Sequence, residues 1–131
     1  MLIDTSRLMC LLDKRDIRHA DAIRHYNSAP RRLTHNYVLA EFVALATARR
    51  VPRGEVLRFV ASLVVSDEIV VIWVDKGLHE RSMDLLSQRL DKSWSLCDAV
   101  SFMMMKEQNI LEVLTTDHNF EQAGLVRLLD R

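Results

Sequence analysis

The sequence predicts an α/β fold: a three-layer α/β/α sandwich built on a central, mainly parallel sheet. Three observations carry this. Short apolar runs alternate with helix-period segments along the chain, the pattern of βαβ units joined by right-handed crossovers. The run Ile-Val-Val-Ile-Trp-Val at 69–74 is β-branched and continuous, as expected of a strand covered on both faces. Finally, a hydrophobic fraction of 49% with 27% charged residues, 3 Gly and 2 Pro is the composition of a packed domain, not of a disordered chain.

The elements follow in order. Leu2-Ile3 is an apolar pair that ends at once in Asp4-Thr5-Ser6, a buried strand followed by residues able to cap a helix. A short helix over 7–13 comes next. From Asp16 a second helix runs with Ile17, Ala20, Ile23 and Tyr26 at helical spacing, until Asn27-Ser28-Ala29-Pro30 stops it. A brief strand is expected at 32–34. The helix over 36–50 places Tyr37, Val38, Glu41, Ala44 and Leu45 on one side, a side expected to face the core. Pro52 suits a first helical position, and Val56, Leu57, Val60, Leu63 and Val64 then repeat the spacing with no polar residue, so that face too is expected in the core. After the strand at 69–74, Asp75 caps a helix to about 90 with Leu78, Leu85 and Leu86 inward. A loop at 91–94, a helix at 95–108, a short strand at 112–115 and a helical turn at 119–123 complete the alternation. Gly124 supplies a left-handed cap before a last strand at 125–128.

With 131 residues the chain has room for one domain, 1–131. No apolar stretch approaches the roughly 20 residues of a bilayer span, and Asp4 stands too early for a secretory signal, so a cytoplasmic protein with no membrane partner is expected. Cys10 and Cys97 have no CxxC partner, and read as small buried hydrophobes. The net charge is zero, which denies a general basic field. Its halves differ, however: residues 1–65 hold 11 Lys and Arg against 6 Asp and Glu, and residues 66–131 hold 7 against 12. No GxGxxG or GxxxxGK[ST] occurs, which excludes nucleotide binding through a glycine loop.

Four acids stand out by position. Asp4 and Asp117 each follow a predicted strand directly, and in an open α/β sheet ligands bind outside the carboxyl ends of the strands. For either alone, a helix cap is the ordinary explanation. Glu41 and Asp98 lie instead among apolar helical neighbours, Tyr37, Val38, Ala44 and Leu45 for the first and Phe102 and Met105 for the second. A buried, unpaired carboxylate costs several kcal/mol, so such acids need a partner. An Arg within the chain is the structural explanation. The functional one is that the four share one or two hard divalent cations, Mg²⁺ or Mn²⁺, which prefer carboxylate and water oxygens. Such a cation can activate a water and stabilise the charge on a phosphodiester undergoing displacement. His19, His25, His35, His79 and His118 show no paired ligand spacing, and His118, beside Asp117, reads as a surface residue.

Leu-Ile-Asp-Thr-Ser at 2–6, Asn-Tyr-Val-Leu-Ala-Glu at 36–41, Ser-Leu-Cys-Asp-Ala-Val-Ser-Phe at 95–102 and Leu-Thr-Thr-Asp-His-Asn-Phe at 114–120 resemble, in order, the successive motifs of PIN-domain ribonucleases. The resemblance spans nearly the whole chain. It implies a PIN-like parallel sheet with flanking helices, an acidic pocket for Mg²⁺ or Mn²⁺, and cleavage of single-stranded or structured RNA. Many bacterial members of this size are VapC-type toxins, neutralised by a cognate antitoxin and assembled as homodimers. Carried over residue by residue, Asp4, Glu41, Asp98 and Asp117 match the family's catalytic and metal-binding quartet. Thr5, Ser6 and Thr116 fall where hydroxyls support such sites, and Asn119 falls where some relatives carry another acid.

Substrate contacts are expected from Arg7, Arg31, Arg32, Arg49, Arg50 and Arg53 as a phosphate-binding rim, against the alternative of a solvated helix surface. Trp94 is a candidate for stacking on an unpaired base, against core or dimer packing. The run Met103-Met104-Met105 suits an adaptable interface. Other enzyme classes fit less well: a haloacid-dehalogenase-like phosphatase needs a second Asp where Ser6 stands, and a receiver domain needs an acidic pair and a later Lys that are not in place. The alternative function is a catalytically silent PIN-like module whose acidic pocket is structural or seats a partner's Arg.

Overall fold

The computed structural model describes residues 1–129. In chain order the elements are β1 (Leu2–Ile3), α1 (Thr5–Leu12), α2 (His19–Ser28), β2 (Leu33–His35), α3 (Asn36–Ala48), α4 (Arg53–Val65), β3 (Val70–Ile72), α5 (Lys76–Gln88), α6 (Leu96–Glu107), β4 (Glu112–Leu114), α7 (Asn119–Gln122) and β5 (Val126–Arg127). The five strands form one sheet in the order β3-β2-β1-β4-β5, and every pairing is parallel. The expected α/β/α sandwich is what the chain forms.

Strand periodicity builds the layers. In β1, Ile3 points into a core formed with Leu8, Val38, Leu39, Phe42, Val56 and Leu63 of α1, α3 and α4. Its neighbour Leu2 points the other way, into a core with Phe102, Met104 and Met105 of α6 and Phe120 of α7. Leu114 and Val113 of β4 divide between the same two cores. Capping sets several helix starts: Asp75 accepts from Leu78 N at 2.8 Å, and Ser95 begins α6 with a reciprocal capping box. Gly124 takes the expected left-handed backbone, with φ +82°.

Four expectations about helix phase and strand position do not hold. The buried side of α3 is Val38, Leu39, Phe42 and Ala46, about a third of a turn from the expected stripe, and this leaves Glu41 and Ala44 exposed. Because α3 is apolar around most of its circumference, its sequence does not fix which side faces the core. On α4, Val56 and Leu63 are buried but Leu57 and Val64 are exposed. The run at 69–74 yields an edge strand, with Val70 and Trp73 exposed, not a doubly covered one. Ile17 lies outside α2 and is 93% exposed; the residue that α2 buries is Ala22.

Candidate active site

The strand order reverses direction between β1 and β4. After β1 the chain turns toward β2 through α1, which packs on one face of the sheet; after β4 it turns toward β5 through α7, which packs on the other. The carboxyl ends of β1 and β4 therefore frame the crevice where open α/β sheets bind ligands. Asp4 follows β1 directly and Asp117 follows β4 after two intervening residues. Glu41 reaches the same edge from the first half of α3, which begins where β2 ends, and Asp98 from the first turn of α6. Electrostatic coupling of Asp4 to Asp98 and Glu41, and of Asp98 to Asp117, shows that the fold brings all four acids to one place.

Asp4 is 7% exposed, and although it occupies the N-cap of α1 its side chain makes no capping bond to that helix. Its Oδ2 instead accepts from the Thr115 hydroxyl at 2.9 Å, and the same hydroxyl accepts from Asp117 N at 3.0 Å. Thr115 is thus a clamp between two of the acids. Asn119 is a second clamp: its backbone N–H donates to Asp117 Oδ1 at 2.9 Å, and its amide nitrogen lies 3.4 Å from Asp98 Oδ2 and 3.5 Å from Asp117 Oδ2. Asp98 Oδ2 also closes the α6 capping box by accepting from Ser95 N at 3.0 Å. One carboxylate oxygen of Asp98 is therefore structural, and the other is left for the pocket. Glu41, exposed on α3, stands at the mouth.

The electrostatics are those of an acidic pocket lacking a counter-charge. Burial pushes Asp4 up from 3.8 to about 7, with Asp98 and Glu41 adding to the rise, while the Thr5 backbone and Thr115 oppose it. Burial is also the first cause that raises Asp98, followed, among the raising effects, by Asp117. The Cys97 thiol is pushed well up by burial and then by Glu41, Asp4 and Asp98, which places it against the same cluster as an inert, protonated group. Among the described residues no Lys or Arg forms an ion pair with any of the four acids, so the structural explanation of an intrachain Arg partner does not apply.

The donor set suits a hard cation: carboxylates of graded burial, no thiolate, and two buried hydroxyls without a partner, Thr5 Oγ1 and Ser6 Oγ, directly after Asp4. As the side chains stand, no group of three His, Cys, Asp or Glu among the described residues converges tightly enough to hold one ion. Closure on a cation therefore requires rotamer changes, for which exposed Glu41 and half-buried Asp117 have room.

The remaining expected residues scatter. Arg7 is 1% exposed and donates to Cys10 Sγ at 2.8 Å, so it belongs to the core and not to a rim. Arg31 and Arg32 precede β2, at the sheet edge opposite the acids. Arg31 donates to Gln108 at 2.7 Å; Arg32 donates to the carbonyls of Tyr26, Asn27 and Glu68 and lies over the Tyr26 ring, a structural clasp. Arg49 and Arg50 are exposed about 12 Å along α3 beyond Glu41, and Arg53 is exposed at the start of α4. Trp94 is buried edge-on against Phe102 at 5.0 Å, with Arg89 over its ring, and offers no face to a base. Thr116 contributes its carbonyl to Arg127 at 3.3 Å, and Thr115 is the hydroxyl that serves the acids. The sequence carried a signal for Thr115: in a strand leading to Asp117, the residue two before it points to the same side as the acid. His118 is exposed, 3.9 Å from Asp117.

Comparison with known proteins agrees with this geometry. The PIN domain family model matches residues 1–125. The chain is 30% identical over 129 residues to the 23S rRNA-specific endonuclease VapC20 of Mycobacterium tuberculosis, covering 98% of this chain and 97% of that one. The crystal structure of VapC20, described as a Sarcin-Ricin loop cleaving toxin, superposes with a TM-score of 0.86 at 29% identity over 95% of both chains. A toxin-antitoxin complex from Klebsiella pneumoniae shares the fold, with a TM-score of 0.70 at 18% identity over 99% of this chain and 98% of that one. From the match over residues 1–125 and the VapC20 identity, the chain belongs to the PIN domain family.

Proposed function

We propose that this protein is a Mg²⁺- or Mn²⁺-dependent endoribonuclease, the toxin of a toxin-antitoxin pair, acting in the cytoplasm on structured RNA. The observation that carries the reading is the buried carboxylate of Asp4 at the switch point, clustered with three further acids and paired with no Lys or Arg among the described residues. The VapC20 likeness makes a ribosomal RNA hairpin the first substrate to try. No helix of the described residues is long and apolar enough to cross a membrane.

In this reading Asp4, Asp98 and Asp117 hold the cation, with Glu41 closing from the mouth. When bound, the cation supplies a Lewis acid for the phosphodiester and lowers the pKa of a water. The chain's own residues do the positioning. Thr115 ties Asp4 to the Asp117 backbone, and Asn119 ties Asp117 to Asp98, so Asp4 and Asp98 are held in place while Asp117 and Glu41 turn in to complete the site. The Thr5 and Ser6 hydroxyls, on the first turn of α1, are buried and unpartnered directly after Asp4, and serve a phosphate oxygen only once the pocket opens to it. With Asp4 near 7, cation binding displaces a proton, and cation affinity rises with pH up to about that value.

The exposed apolar residues Leu57, Val64 and Val65 of α4 support assembly as a homodimer. The second reading, a silent module that seats an antitoxin's Arg, rests on the same lack of a counter-charge. One assay separates them: purified protein with a panel of hairpin and single-stranded RNAs, in Mg²⁺ or Mn²⁺, beside EDTA and Asp117→Asn. Cutting abolished by both controls is the expected result. Metal binding without cutting of any RNA would favour the silent module.

A further inference from the structure

Trp73 is 64% exposed, the largest side chain left so open, and it makes no ring or cation contact among the described residues. It does not sit on a loose loop. It immediately follows β3, and the next residue, Val74, donates its N–H to Asn36 Oδ1 at 2.6 Å, while Asp75 caps α5. Its backbone is pinned on both sides while its ring stands in solvent.

Strand register places it relative to the acids. Leu2 pairs with Leu33, and His35 with Ile72, so Asp4 lies level with His35 and Ile72, and Trp73 is one residue beyond them on the carboxyl edge. Two strand spacings separate β3 from β1, roughly 10 Å. The strand between them is β2, and two residues beyond its end stands Tyr37, whose hydroxyl is 2.6 Å from His79 Nδ1 and whose ring meets the His79 ring edge-on at 6.0 Å. Tyr37 is one helical turn before Glu41 on α3. An open indole, a fixed tyrosine and the acidic pocket thus follow one another along one edge, over a distance that a short run of unpaired nucleotides spans.

We propose that Trp73 is a nucleobase-stacking subsite that holds an unpaired base of the RNA beside the scissile phosphate, with Tyr37 and His79 as its inner wall. The proposal rests on the nuclease reading and adds to it a recognition element for single-stranded or loop nucleotides. Sequence-specific RNA recognition works on unpaired bases, and a flat aromatic face accepts any of them. A lone open ring on an edge that also carries a hydrogen-bonded tyrosine and histidine suits a flat heterocycle with polar edges better than an apolar protein surface. Trp73 acts as a positioning residue and takes no part in the chemistry.

The chain has two tryptophans, and Trp94 is buried, so the fluorescence of Trp73 reports directly. In the Asp117→Asn protein, addition of oligoadenylate or oligouridylate is expected to quench this signal, and the quench is lost with Trp73→Phe. Trp73→Ala is expected to weaken oligonucleotide binding roughly 5- to 150-fold. In active protein it raises KM for a cleaved hairpin far more than it lowers kcat, while Trp73→Tyr restores most of the loss. An abasic sugar at the stacked position should copy the Trp73→Ala effect in RNA. RNA binding and KM unchanged in folded Trp73→Ala would overturn the subsite and leave the nuclease standing. A change only in oligomeric state or antitoxin capture would overturn it in favour of a protein interface. Failure of the folded protein to bind or cut any RNA would overturn both readings together.

Discussion

One short helix carries two buried charges with opposite fates. Asp4 begins α1 and Arg7 lies one turn further on, and both are almost completely buried. Arg7 has polar partners of the chain's own, although no ion pair: its guanidinium donates to Cys10 Sγ at 2.8 Å, and the Cys10 thiol in turn lies 3.4 Å from Asp16 Oδ2. Burial lowers its pKa, while Cys10 and Asp16 resist the drop, and its buried Nε has no hydrogen-bond partner. Asp4 has the Thr5 backbone and Thr115, and beyond these Asp98 and Glu41, which share its sign. The difference separates a structural charge from a functional one. A buried cation with polar partners and an acid of the same chain nearby is part of the packing, whereas an acid whose neighbours share its sign is held in place at a cost in stability and suits a ligand.

Breaking the structural side of this contrast should give the largest change in stability. Arg7→Ala leaves a cavity where a fully buried side chain packs and removes the donor to Cys10 Sγ, and a loss of about 3–5 kcal/mol is expected in urea unfolding. Cleavage per folded molecule should stay within a small factor of wild type. Breaking the functional side should do the reverse. Asp4→Asn is expected to abolish cleavage yet stabilise the apo protein at pH 8 by about 2–4 kcal/mol. The sign follows from the raised pKa. Between 3.8 and about 7 the folded protein keeps a proton that the unfolded chain has released, so wild-type stability falls as pH rises through that window. In Asp4→Asn that slope disappears, and near pH 4 the two proteins should have equal stability, as paired pH-stability curves would show.

Smaller changes sharpen the contrast. Thr115→Val keeps the shape but removes the donor to Asp4 and the acceptor for Asp117 N, and should cost about 1–3 kcal/mol while cleavage falls about 10- to 100-fold. Mn²⁺ should raise the melting temperature of wild type, less that of Thr115→Val, and least that of Asp4→Asn, in scanning calorimetry. Equal shifts in all three would place the cation elsewhere.

Much of the site was legible in the sequence because it is local. Asp4 and Asp117 follow strand-forming runs, and strands of two or three residues leave little freedom in where the next side chain points. The order of elements was legible for the same reason, since apolar runs and caps at Asp75, Ser95 and Gly124 mark their ends. Helix phase was not. On α3 nearly every side is apolar, so only packing against α1 and α4 decides that Glu41 faces the pocket mouth. The edge position of β3 was equally hidden, because Val70 and Trp73 have the composition of a central strand. Arg7 misled because an arginine is usually solvated, and its match with Cys10 and Asp16 spans a helix end that sequence spacing does not resolve.

The most direct test joins stability to activity in one variant: Mn²⁺-dependent cleavage of a ribosomal hairpin by wild type and Asp4→Asn, with the thermal stability of both at pH 8. If the uncompensated carboxylate is there for a cation and RNA, Asp4→Asn is the more stable protein and cuts nothing, and wild type cuts only with the metal. Cutting by Asp4→Asn at the wild-type rate, or by wild type in EDTA, would contradict it.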